Sequence, residues 1–65
     1  MTMERTEVFG GSTFLLKTHR LGPERWSCDV FTRDRANAER FMLQEFGESE
    51  LEAIAMALSE VHQLH

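Results

Sequence analysis

The amino-acid sequence predicts an α+β fold in which a two- or three-stranded antiparallel β-sheet is followed by an antiparallel helical hairpin, in the order ββαα or βββαα. Three observations support it. Residues 13–20 and 26–33 are two runs of strand formers separated by a Gly22-Pro23 break. A Gly10-Gly11 pair stands before the first of them, with a shorter run at residues 5–9 on its other side. The stretch Phe46-Gly47-Glu48-Ser49-Glu50-Leu51-Glu52 then ends one amphipathic pattern and starts another. Gly47 can adopt the left-handed conformation that closes a helix, and Ser49 with Glu52 spells the S-x-x-E capping box that opens the next.

The 65 residues form a single small domain, 1–65, of a size that buries only about 60 % of the surface its unfolded chain exposes. Such a chain gains stability from a staple or a partner. Cys28 is the only cysteine, so no disulfide forms within the chain, and self-association is the simplest remedy. With 42 % hydrophobic and 28 % charged residues the composition is that of a globular protein. No apolar run approaches the roughly 18 residues that cross a bilayer. The opening Met1-Thr2-Met3-Glu4-Arg5 lacks the basic-then-apolar layout of a secretion signal, so the sequence predicts a soluble, cytoplasmic protein. The formal net charge of −4 is unevenly spread, because all seven lysines and arginines lie within residues 1–40 and five glutamates follow them.

The runs at 5–9 and 13–20, flanking Gly10-Gly11, predict a short first hairpin. Residues 13–20 and 26–33 predict a second, whose register follows from the side chains. If Phe14 lies opposite Thr32, then Leu16 meets Val30, Thr18 meets Cys28 and Arg20 lies beside Trp26, which makes one face apolar. On the other face Lys17 meets Asp29 and Leu15 meets Phe31. An aliphatic–aromatic pair on a face that should meet water calls for another strand, a partner or a second copy.

Asp34 is placed to N-cap a helix over residues 35–46, with Ala38, Met42 and Phe46 along the centre of its apolar stripe and Phe41 and Leu43 on the flanks. A second helix over 50–62 carries Leu51, Ile54, Leu58 and Val61 as a continuous seam. Ala53, Ala57 and Leu64 add a ridge of mostly small residues that suits the close approach of another helix across a dimer axis. Met56 projects on the opposite side among Glu52, Ser59 and Glu60.

Little in the chain supports chemistry. His62 and His65 are spaced to share a helix face, but a zinc site needs three or four ligands and nothing else completes one. Cys28 has His19 on the neighbouring strand, yet the register above turns that imidazole to the opposite face. Glu48, Glu50 and Glu52 surround a helix start, where negative charge is stabilised by the helix dipole. No catalytic residue, metal ligand or cofactor is expected, and the chain is expected not to be an enzyme.

The function that follows is a small non-catalytic regulator or inhibitor that binds another protein, one with a basic surface, through an acidic helical surface made of Glu48, Glu52, Met56 and Glu60. A phage- or mobile-element-encoded antagonist of a host nucleic-acid machine is its natural specialisation. A homodimer joined through Ala53, Ala57, Leu64, Leu15 and Phe31 is the expected assembly. The alternative is a regulator that binds single-stranded nucleic acid or DNA through Arg20, Arg25, Trp26 and Arg33, which the acidic second helix opposes.

Overall fold

Turn chemistry and side-chain alternation build the first three strands. The computed structural model describes residues 2–9, 11–33, 36 and 38–64, the side chains of Thr2, Phe9 and Leu64 excepted. Within them β1 (Thr2–Phe9), β2 (Ser12–Gly22) and β3 (Arg25–Arg33) form an antiparallel meander. Phe9 pairs with Ser12, and Gly11 between them has φ +77°, a conformation that glycine adopts without a Cβ penalty; Gly10 lies outside the described residues. Gly22 pairs with Arg25 around Pro23-Glu24. The β2–β3 register is the expected one at every named pair, including Leu16 with Val30, Lys17 with Asp29 and Leu15 with Phe31.

The helix expected over residues 35–46 is not formed by the described residues of that stretch, of which 39–46 are strand. β4 (Glu39–Gly47) runs antiparallel along β3, and one helix, α1 (Glu50–Leu64), follows. The fold is therefore a four-stranded sheet in the order β1-β2-β3-β4 with a single helix, in place of a two- or three-stranded sheet with a helical hairpin. A β-bulge explains the difference. Val30 pairs with Leu43 but Phe31 pairs with Phe41, so Met42 is the extra residue. Met42 and Leu43 both pack against the core, while Phe41, Gln44 and Phe46 fall on the other face. That slip destroys the two-residue alternation of a strand and leaves apolar residues at helical spacing. Met42, Leu43, Gln44 and Glu45 are also good helix formers, and pairing with the outer edge of β3 overrides their preference. The cap expected from Asp34 lies outside the described residues.

The corner after β4 is built as the capping box requires. The Glu52 N–H donates to Ser49 Oγ at 3.1 Å, and the Ala53 N–H donates to the Ser49 carbonyl at 3.0 Å. Glu52 Oε1 accepts the Glu48 N–H at 3.2 Å, one residue before the Ncap amide that such a box usually satisfies. Gly47 ends a strand instead of closing a helix, and its lack of a side chain matters for space. A Cβ there would sit 2.5 Å from the Ala53 nitrogen and 2.9 Å from the Glu52 carbonyl carbon, both of them backbone atoms.

Phe14, Leu16, Cys28 and Val30 from the sheet meet Ala53, Ile54, Ala57 and Val61 from α1 in one core, flanked by Trp26, Met42, Leu43 and Leu58. Full burial of each large side chain contributes about 1.5–3 kcal/mol. The seam of α1 is rotated from the expected one. Leu51 is 73 % exposed, whereas Ala53 and Ala57 are completely buried. Two alanines against the sheet let the helix lie close to β4 and β3 and reach β2, while the described part of β1 remains uncovered beside it.

Candidate functional site

Three surfaces emerge from this arrangement. The first is the outer side of α1. Glu48, Glu52, Met56 and Glu60 are all exposed, and α1 contains no lysine or arginine to neutralise them. Glu52, Met56 and Glu60 are four residues apart, so they line one stripe about 12 Å long.

The second is the sheet face opposite α1, where the register sets side chains in rows across the strands. Thr6, Leu15, Phe31 and Phe41 form one row, and Glu4, Lys17, Asp29 and Gln44 the next. The Phe31 and Phe41 rings meet edge to face at 76°, with centroids 5.8 Å apart. Lys17 Nζ lies 4.8 Å from the centroid of Phe31 and reaches Glu39 at 3.4 Å and Glu4 at 3.9 Å. Gln44 donates to Asp29 Oδ1 at 2.7 Å, and His19 Nε2 lies 3.5 Å from Asp29 Oδ2. Leu15 is only 5 % exposed under these neighbours although no helix covers it. Phe41 and Phe46 stay open, at 62 % and 49 % exposure. Both were expected on a helix, so the aromatic character of this face was hidden in the sequence.

The third is a cleft between β1 and the start of α1, of about 200 Å³, lined by Met3, Arg5, Thr18, Glu50, Leu51 and Ile54. Thr18 Oγ1 donates to Glu50 Oε2 at 2.7 Å, with the Met3 carbonyl oxygen 3.4 Å away. No feature of the sequence announces this cleft, because its walls come from residues about thirty to fifty positions apart.

The expected dimer residues are scattered. Ala53 and Ala57 are buried against the sheet of their own chain, so the alanine ridge is used within the protomer. Leu15 is almost buried, Phe31 is half-buried, and the Leu64 side chain is not among the described groups. The nucleic-acid set is also divided. Arg20, Arg25 and Trp26 lie at the β2–β3 turn, with Trp26 packed on the core, while Arg33 ends β3 roughly 25 Å away and lies 3.6 Å from Glu39.

Cys28 is completely buried, and burial, reinforced by the charges of Asp29 and Glu50, pushes its thiol from 9.0 up to about 11. A thiol in that state is a packing group, since nucleophilic attack needs the thiolate. His19 stands on the other face, as the register requires. Among the described residues no three His, Cys, Asp or Glu side chains group to hold a metal ion, and no helix is long and apolar enough to cross a membrane. No known protein family matches the chain, and neither curated proteins nor solved structures contain a significant match to it.

Proposed function

We propose that this protein is a small non-catalytic regulator that acts by covering a site on another protein. The observation that carries this reading is the outer side of α1, where Glu48, Glu52 and Glu60 surround the exposed thioether of Met56 with no lysine or arginine on the helix. Negative charge around one adaptable apolar contact suits a partner with a basic surface, since complementary charge steers encounter and the methionine adjusts to the site it meets. Proteins that handle nucleic acid carry such surfaces, so an antagonist of a nucleic-acid machine, encoded by a phage or mobile element, is the specialisation we favour. The working form is a homodimer through the open sheet face, with Phe41 in the place first assigned to the alanine ridge. Two acidic helices then face outward from one particle.

Charge reversal at Glu52 and Glu60 tests the reading. The double variant should keep its helical circular dichroism and lose capture of its basic partner. Retained capture removes α1 from the interface. Light scattering should give twice the 7.5 kDa chain mass at high micromolar concentration, and a monomer there removes the dimer. Single-stranded oligonucleotides at low salt should leave both the mass and the Trp26 fluorescence unchanged.

A further inference from the structure

The cleft beside β1 has a chemistry that the acidic stripe lacks. Its walls, Met3, Leu51 and Ile54, are apolar, and Glu50 stands at one end. Glu50 Oε2 is engaged by the Thr18 hydroxyl, while Oε1 has no hydrogen-bond or ion-pair partner among the described residues. Arg5 also lines the cleft, but its Nε lies 2.6 Å from Glu7 Oε1, its neighbour along β1. Glu4 contributes to the lining, but its side chain lies on the other face of the sheet with Lys17, so Glu50 is the carboxylate inside the cleft and the one guanidinium there is already paired.

Resting on the reading of α1 as a surface for a basic partner, we infer that this cleft receives a lysine side chain of that partner. The unbranched four-carbon stem lies between Met3, Leu51 and Ile54, and the ammonium reaches Glu50 Oε1. Size allows it, because a lysine side chain occupies less than the cleft's volume of about 200 Å³. Charge fits, because the carboxylate has no counter-ion among the described residues. Head-group shape also discriminates. Arginine prefers a carboxylate with both oxygens available for a bidentate fork, and Glu50 offers one, which suits a compact ammonium. Lysine stems cover apolar walls in this way while the charged end keeps a polar partner. The cleft would therefore anchor a contact whose approach the longer-range negative charge of Glu48, Glu52 and Glu60, on the outer side of the same helix, steers.

The test is a nitrogen-15 chemical-shift titration of the full chain with N-acetyl-lysine N-methylamide, run beside the norleucine analogue, which has the same stem and no ammonium. The lysine probe should move the amides of Thr18, Leu51 and Ile54 at millimolar concentration, and the norleucine probe should bind at least tenfold more weakly. Glu50→Gln should weaken the lysine probe at least tenfold. Leu51→Ala, at an exposed position that the fold does not need, should weaken both probes severalfold. Equal response to the two probes, or shifts confined to the outer stripe of α1, overturns the inference. If the cleft stays silent while charge reversal at Glu52 and Glu60 still abolishes capture, the cleft assignment fails and the acidic-surface reading stands. If the cleft binds lysine and the reversal leaves capture intact, the reverse holds.

Discussion

The two faces of the sheet are made by the same strands and exclude water in different ways. On the covered face Phe14, Leu16 and Val30 are completely buried, because α1 brings Ala53, Ile54, Ala57 and Val61 down onto them. On the open face Leu15 is nearly as buried with no helix above it, because Lys17 lies across Phe31 and the rings of Phe31 and Phe41 close the row. The first solution uses a second layer of structure, and the second uses long side chains of the sheet itself. Small residues on α1 make the first possible, since a bulky pair at positions 53 and 57 would hold the helix away. The second leaves Phe41 and Phe46 unsealed at the β4 edge, and there the face is open to another molecule.

The comparison can be broken by experiment, beginning with the largest effect. Phe14→Ala on the covered face should cost about 3–5 kcal/mol in urea unfolding, from lost burial and the cavity left behind. A loss near 1 kcal/mol would mean that α1 does not close over Phe14. Next comes the alkaline limb. The folded chain keeps the Cys28 proton up to about pH 11, whereas the unfolded chain releases it near 9.0, so this group favours folding below pH 9 and its contribution disappears as pH rises to 11. Unfolding measured across that range should decline less steeply in Cys28→Ala, by about 2 kcal/mol in total. An unchanged slope assigns the decline to other groups. Ser49→Ala should cost about 1 kcal/mol by freeing the Glu52 amide, a loss visible as a lower urea midpoint. The smallest effect belongs to the open face. Phe41→Ala should change stability by less than about 1 kcal/mol at a concentration where the chain is monomeric. A cost equal to that of Phe14→Ala would show that something already covers that face.

Much of this arrangement was legible in the residues. Glycines marked the turns, the apolar alternation of residues 13–20 and 26–33 gave the register of β2 with β3, supported by Lys17 opposite Asp29, and Ser49 with Glu52 marked the start of α1. These are local signals or pairings of adjacent strands. β4 was illegible because its bulge at Met42 imitates helical spacing, and only the unpaired edge of β3 decides between the two. The rotation of α1 was hidden for a related reason. Periodicity shows that a stripe exists, but the shape of the sheet below chooses Ala53 and Ala57 over Leu51 to face it. Among the surface residues, Glu48, Glu52, Met56 and Glu60 were foreseen as an exposed set. Phe41 and the cleft at Glu50 depend on β4 and β1 standing where they do, which no short window of sequence contains.

The meander has a consequence in time. Each strand pairs with the one made just before it, and the helix that covers them follows all four strands. Hairpins close in roughly 1–10 μs. A ribosome adding about 5–20 residues per second needs on the order of a second to make the 15 residues of α1. Phe14, Leu16 and Val30 therefore stay bare on an assembled meander until α1 has left the ribosome and docked on them. A nascent chain in that condition is a natural client for chaperones, and the charged row of Glu4, Lys17 and Asp29 guards only one of its two sides against stacking on a neighbouring nascent chain.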